Sequence, residues 1–179
     1  MKHVAAGKTI PGGRDGEQER FATLLEEHAG ILHKITRAYA RSEADRQDLW
    51  QEIAAQLWRS FPRYDDRLPF STWMYRVALN VAISFTRRQS VRNRHFADPE
   101  QAGEMPDPSG AAAGDRELKL LERFLEGIGE LDRALMLLFL DGRPYEAIAE
   151  VLGISESNVG TRVGRLKERL RRELDASAV

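Results

Sequence analysis

The stretch from Tyr145 to Leu174, YEAIAEVLGISESNVGTRVGRLKERLRREL, constrains this chain more than any other, because it holds two short helical patterns with one tight turn between them. In its first half Ile148, Val151 and Leu152 recur at helical spacing, Pro144 suits a first helical position, and Gly153 supplies the left-handed residue that closes a helix. Ser155 is then a good N-cap for a second helix. In that helix Val159, Val163, Leu166 and Leu170 fall at i, i+4, i+7 and i+11, so they share one narrow stripe. Ile154, in the turn, is expected to point back into the pair. The pattern predicts a helix-turn-helix, an arrangement that lays its second helix in the major groove of duplex DNA.

At about 100° per residue, Arg162, Arg165, Arg169 and Arg172 fall on a strip roughly 80° wide beside the apolar stripe. Arg suits paired hydrogen bonds to guanine and to phosphate. Ser157, Asn158, Thr161, Arg162 and Arg165 are therefore candidates to read base edges, with later cations such as Arg169 gripping phosphate. A solvated charged face is the plain alternative, since Glu168 and Glu173 are interleaved. Gly160 and Gly164 each cost this helix about 1 kcal/mol relative to Ala, a deficit that packing has to make up.

A chain of 179 residues can hold one domain or two small ones, and a polar break in its middle favours two. Apolar clusters at helical spacing, with almost no alternating pattern, predict an all-α protein: two small helical domains on a flexible linker, the C-terminal one carrying the helix-turn-helix. The chain has no cysteine, which removes disulfides and thiol chemistry and fits a reducing compartment. Met1 to Gly16 lacks the apolar run of a signal peptide, and no run of about 18 apolar residues exists, so neither export nor a membrane span is expected and the chain is read as cytoplasmic. The net charge of −1 hides an uneven distribution, acidic from Glu17 to Glu52 and basic at Arg87 to Arg94 and Arg162 to Arg172.

In chain order, residues 1–16 read as a disordered leader and 17–95 as an N-terminal helical domain. One long helix is expected from Glu19 to about Tyr39, with Phe21, Leu24, Leu25, His28, Ile31, Leu32 and Ile35 facing inward. His28 and His33 read as boundary and surface residues, with no partner at metal-ligand spacing. Ser42 and Asp45 make a capping start for a helix from Glu43 to Ser60, on which Leu49, Trp50, Ile53, Leu57 and Trp58 are apolar. Asp45, Asp48 and Glu52 share one side of that helix, as the solvated edge of a core helix or, with equal claim, as an acidic docking surface.

Two prolines bound Phe61 to Pro69, which reads as a loop, and a further helix runs from Phe70 to about Arg88. Aromatic rings mixed with Arg suit single-stranded nucleic acid; Arg63, Tyr64, Arg67 and Asn80 are the contact candidates, while Phe70 and Trp73 fit the core better. Arg87, Arg88, Arg92 and Arg94 form a basic run that either meets phosphate or is a solvated tail. Residues 96–115 read as the linker and 116–175 as the C-terminal domain. There Leu118, Leu121, Phe124, Leu125 and Ile128, then Leu131, Leu135, Met136, Leu138 and Phe139, support the helix-turn-helix, and Asp141-Gly142 ends the second of these helices.

The order of a D-L-x-Q-E segment (Asp48-Leu49-Trp50-Gln51-Glu52), then F-S-T-W-M-Y-R-V-A-x-N (Phe70 to Asn80), a linker and a terminal Y-E-A-I-A-E-V-L-G-I-S resembles an extracytoplasmic-function (ECF) sigma factor of bacterial RNA polymerase. The likeness spans about Phe21 to Leu174. It implies a subunit without catalysis or cofactor of its own, which binds core RNA polymerase and directs it to promoter DNA. By this resemblance Asp48, Leu49, Gln51 and Glu52 would dock on the polymerase. Trp73 and its surroundings, with Arg87 and Arg88, would help melt the minus-ten element, and Asn80 with Arg63, Tyr64 and Arg67 would capture an unpaired base. The recognition helix would read the minus-thirty-five element, and the resemblance also implies an anti-sigma factor as regulator.

The sequence departs from the family pattern at Arg143, where a capping Ser or Thr is common, at Gly160 and Gly164, and at Asp65-Asp66-Arg67. The alternative from another class is a helix-turn-helix repressor or activator whose N-terminal helices sense a ligand or dimerise. An enzyme is the least supported reading, for there is no glycine-rich phosphate loop, nucleophile constellation or metal-ligand spacing.

Overall fold

The computed structural model describes residues 14–95 and 113–177, and among them the chain forms eight α-helices, one 3-10 turn and no strand. The N-terminal body holds α1 (Arg14–Glu27), α2 (Ala29–Tyr39), α3 (Glu43–Ser60), the turn Phe61–Arg63 and α4 (Phe70–His95). The C-terminal body holds α5 (Ala113–Glu126), α6 (Glu130–Leu140), α7 (Tyr145–Leu152) and α8 (Glu156–Ser177). The bulk of the predicted leader and linker lies outside the described residues. Where the two overlap, helix α1 already begins at Arg14 and α5 at Ala113, inside the ranges read as leader and linker.

Several ends are set by the local chemistry expected of them. The Ser42 hydroxyl accepts the Asp45 amide (3.1 Å) and donates to the Asp45 carboxylate (2.7 Å), which fixes the start of α3. Gly142 at φ +71° closes α6: its amide reaches Phe139 O (3.0 Å) and the Arg143 amide reaches Leu138 O (3.1 Å).

Two expectations need correction. The single helix from Glu19 to Tyr39 is broken at His28, whose backbone leaves helical geometry (φ −112°, ψ 11°). Leu24 O accepts both the His28 amide (3.2 Å) and its Nδ1–H (2.9 Å), and the ring then packs edge-on against Phe70. A polar side chain that competes for the backbone carbonyl at the site of the break, with Gly30 just beyond, makes this the weak point of the pattern. In the opposite sense, α4 continues past Arg88 to His95.

The core of the first body is made by Leu32 and Ile35 of α2, Leu49, Ile53 and Leu57 of α3, and Met74, Tyr75 and Ala78 of α4, all essentially without exposure. Phe124, Leu135, Met136, Leu138, Ile148, Val159 and Val163 do the same for the second, each large aliphatic burial contributing about 2 kcal/mol. The buried residues form one continuous cluster, because α2 packs on α5 and α6, and α4 packs on α6 and α7.

Polar contacts fasten the same seam. Arg133 of α6 is buried and donates to Leu125 O (2.7 Å), Glu126 O (3.0 Å), Ile128 O (3.4 Å) and, across the seam, Ala38 O (3.1 Å). It thus caps the C-terminal carbonyls of α5 and α2 with one cation, where both helix dipoles favour positive charge. Tyr39 stacks under that guanidinium (5.1 Å) and donates its hydroxyl to Glu130 O (2.7 Å). At the other end Asp141 accepts from Lys34 and from the Tyr75 hydroxyl (2.8 Å), with Arg143 3.6 Å away. Burial and then the bond to Asp141 push the Tyr75 phenol well above its ordinary range.

Candidate nucleic-acid interface

Helices α7 and α8 form the helix-turn-helix that their sequence predicts. Gly153 stands in the left-handed region (φ +66°, ψ 34°), and the Ile154 amide returns to Ala149 O (3.2 Å), which turns the chain sharply. The Ser155 hydroxyl accepts the Asn158 amide (3.2 Å), a cap worth about 1 kcal/mol. Ile148, Val151, Val159, Val163 and Leu166 are buried between the two helices and α6, with Ile154 packed against them. Pro144 sits at the N-cap of α7, one residue before the expected place, and Arg143 is turned away to Ser71 Oγ (3.2 Å) and the Tyr75 ring (5.2 Å).

Ser157, Asn158 and Thr161 are exposed at the start of α8, where they can meet base edges. The basic strip is engaged along its flank. Arg162 donates through Nε to Asn158 Oδ1 (2.8 Å) and through a terminal nitrogen to Asp132 (2.7 Å). Arg165 reaches the other oxygen of Asp132 (3.4 Å), and Arg169 lies over Phe124 (5.6 Å), bonding Gly127 O (3.4 Å) and Glu173 (2.9 Å). Three of the four strip cations therefore face the α5–α6 corner. Packing also fails to explain one glycine: a Cβ at Gly160 would touch the Tyr145 ring at 3.6 Å, whereas one at Gly164 would meet nothing within 4 Å.

On the first body, a groove between α3 and α4 is lined by Asp48, Gln51, Glu52, Phe85, Arg87, Arg88 and Arg92. The acidic and basic candidates thus share one surface. Glu52 and Arg88 are bonded across it (2.6 and 2.7 Å), while Asp48, Gln51 and Arg87 make no side-chain hydrogen bond among the described residues. Leu49 must be removed from the docking set: it has no exposure and packs into the core beneath the groove, so it supports the α3 surface without forming part of it.

Tyr64 and Trp73 meet at 5.0 Å within a nest of rings that includes Phe61 and Phe70. Phe61 and Phe70 are buried, whereas Tyr64 and Trp73 are half-buried at its edge, with the Tyr64 hydroxyl on Leu68 O (2.6 Å). Arg63 and Asn80 are exposed, and neither side chain is bonded among the described residues. Arg67 is folded onto Asp65, to which its amide and Nε both donate (3.0 Å), and these bonds hold the Asp65 carboxyl below its usual range. Sequence reasoning missed Asp132 and Arg133 altogether; the one local signal was an acidic residue in the first turn of α6, which ordinarily indicates a helix dipole and nothing more.

Two family models match this chain: Sigma-70 region 2 over residues 24–92, and Sigma-70, region 4 over residues 118–170. The RNA polymerase sigma factor CnrH of Cupriavidus metallidurans is 28% identical over 176 residues, covering 91% of each chain. The ECF RNA polymerase sigma factor SigW of Bacillus subtilis is 23% identical over 180 residues, covering 93% of this chain and 95% of its own. Among solved structures, that of CnrH in complex with the cytosolic domain of CnrY superposes with a TM-score of 0.66 at 24% identity, covering 90% of this chain and 92% of the other, which shows that the fold is shared.

Proposed function

The chain belongs to the sigma-70 family as an ECF sigma factor, a promoter-directing subunit of bacterial RNA polymerase, and from that premise we propose how its surfaces divide the work. Residues 17–95 hold core polymerase and open the minus-ten element; residues 116–175 read the minus-thirty-five element as duplex; residues 96–115 tether the two. In the first body Asp48, Gln51 and Glu52 take the polymerase. Trp73 and Tyr64 offer ring faces to unstacked bases, with Arg63, Asn80 and, once freed from Asp65, Arg67 as polar contacts, while Arg87 meets the strand farther along α4, at the groove. Arg88 works from its pairing with Glu52, so docking and strand contact are adjacent on one groove. In the second body Ser157, Asn158, Thr161, Arg162 and Arg165 face base edges and Arg169 the backbone.

One observation carries this reading. A capped helix-turn-helix with exposed polar residues at the start of its second helix occurs in the same chain as a groove that sets carboxylates beside an Arg cluster. A repressor needs only the first of these features. Initiation is the role of the family, and the chemistry of RNA synthesis belongs to the polymerase it joins. Among the described residues no helix is long and apolar enough to cross a membrane. We read the chain as cytoplasmic, working where the polymerase works, under an anti-sigma partner of the kind bound to the sigma factor RpoE of Bartonella quintana.

Run-off transcription with core polymerase on genomic fragments tests the reading. The expected result is chain-dependent initiation from fragments that share upstream and minus-ten sequences. A purified chain that binds a duplex tightly alone, and never joins core, would overturn it in favour of a repressor or activator.

A further inference from the structure

The side chains on which duplex reading depends are not independent of the rest of the body. Asp132 stands in the first turn of α6, where the helix dipole favours its charge, and its backbone is anchored by the buried neighbours Arg133, Ala134 and Leu135. Its two oxygens divide between two recognition-helix cations, Arg162 at 2.7 Å and Arg165 at 3.4 Å. Arg162 is the committed partner, with its side chain 31% exposed and its Nε fixed on Asn158; Arg165, at 67%, is held by one long bond and can swing away. Asp132, Asn158, Arg162 and Arg165 are thus one linked unit.

We propose that Asp132 is a specificity-determining positioning residue: it orients Arg162 and, through it, Asn158, and it withholds positive charge from indiscriminate phosphate binding. The physical reason is a difference between two kinds of contact. Phosphate attraction is long-ranged, indifferent to sequence and satisfied by any mobile guanidinium. Base-edge contact requires a planar group held at one angle, which the paired bonds from Asp132 and Asn158 supply in advance. A carboxylate beside two cations lowers the first kind more than the second, and discrimination is the difference between them.

The proposal rests on α8 reading duplex DNA, and the experiment separates the two. Holoenzyme reconstituted with the full chain, wild type or Asp132→Asn, is titrated with duplexes bearing the native or a shuffled minus-thirty-five sequence at several salt concentrations. For Asp132→Asn, affinity for the shuffled duplex should rise about threefold or more and the native-to-shuffled ratio fall, while the salt slope steepens by about one ion, near 0.9 in log–log terms. Asp132→Glu keeps the carboxylate and should restore much of the ratio. Equal weakening on both duplexes, or no change in ratio and slope, would overturn the proposal, since loss of fold lowers affinity without steepening its salt dependence. A wild-type holoenzyme that cannot tell the duplexes apart would instead remove the reading on which it stands.

Discussion

On the first body Asp48, Gln51, Arg63, Asn80 and Arg87 make no side-chain hydrogen bond among the described residues, whereas on α8 Arg162, Arg165 and Arg169 are each held by groups 30, 33 and 42 positions away. Ordering a long polar side chain on binding costs roughly 0.5–1.5 kcal/mol. The first surface leaves that cost to the complex, where a large partner and a melted strand can arrange the groups. The second has met much of it on folding, as duplex reading by a few side chains demands. Arg88, bridged to Glu52, Arg67, folded onto Asp65, and Tyr64, bonded to Leu68 O, are the exceptions on the first body, and each is held from within that body.

The largest test of this contrast lies under it. Arg133 serves the C-terminal carbonyls of α5 and of α2 from a buried position, so Arg133→Met leaves four carbonyls without that donor. A loss of roughly 3 kcal/mol is expected, read as a lower urea midpoint with an unchanged slope. The corner that presents Asp132 should loosen with it, so discrimination of the minus-thirty-five element falls while groove residues on the first body keep their affinity for core. A stable variant would show that the recognition helix is positioned by its apolar stripe alone.

A reciprocal pair sharpens the division of labour. Arg162→Ala or Arg165→Ala should lower minus-thirty-five-dependent transcription by about tenfold or more, in line with 1–3 kcal/mol for a base contact, and leave core binding intact. Asp48→Arg should do the reverse, weakening core binding by about tenfold through a like-charge contact without touching duplex discrimination. Pull-down on core polymerase and promoter titration read both, and either variant failing in the other's assay would dissolve the contrast.

The seam between the bodies contributes a pH dependence. Burial raises the Asp141 carboxyl, but the bonds from Lys34 and Tyr75 and the charges of Lys34 and Arg143 outweigh it, so its net position is below the ordinary carboxylate range. A lowered folded value means that this stability is present above the unfolded value and is lost as pH falls through the folded one. Asp141→Asn should therefore cost roughly 1.5 kcal/mol at neutral pH and flatten the acid limb of the stability curve below about pH 4. An unchanged acid limb would mean that the seam does not draw on this carboxylate.

These contrasts follow from what a sequence can express. The helix-turn-helix was legible because its stops are local: Gly153 and Ser155 act within four residues of themselves, and the apolar stripe of α8 repeats at its own period. The α3 start at Ser42 was legible for the same reason. The break at His28 was not, since a polar residue on an inward face reads as a tolerated boundary until its ring is seen bonding Leu24 O. Leu49 fell into the docking set because a motif names consecutive residues, while a helix sends every third or fourth to the other side. Arg133 to Ala38, Tyr75 to Asp141 and Arg162 to Asp132 join residues 95, 66 and 30 apart, and no periodicity records such pairs.

The smallest expected effect concerns Gly164. At about 100° per residue it shares the outward face of α8 with Ser157 and Thr161, away from the buried stripe of Val159, Val163 and Leu166. Nothing in the protein lies within 4 Å of where its Cβ would be, so no internal contact demands a glycine there. Gly164→Ala should raise stability by up to about 1 kcal/mol through backbone entropy alone. If the duplex approaches this face closely, the added methyl group meets it, and the expected outcome is a more stable chain with weaker minus-thirty-five binding. A stability gain with unchanged binding would place the duplex against the Arg flank instead, leaving the outward face of α8 open to solvent.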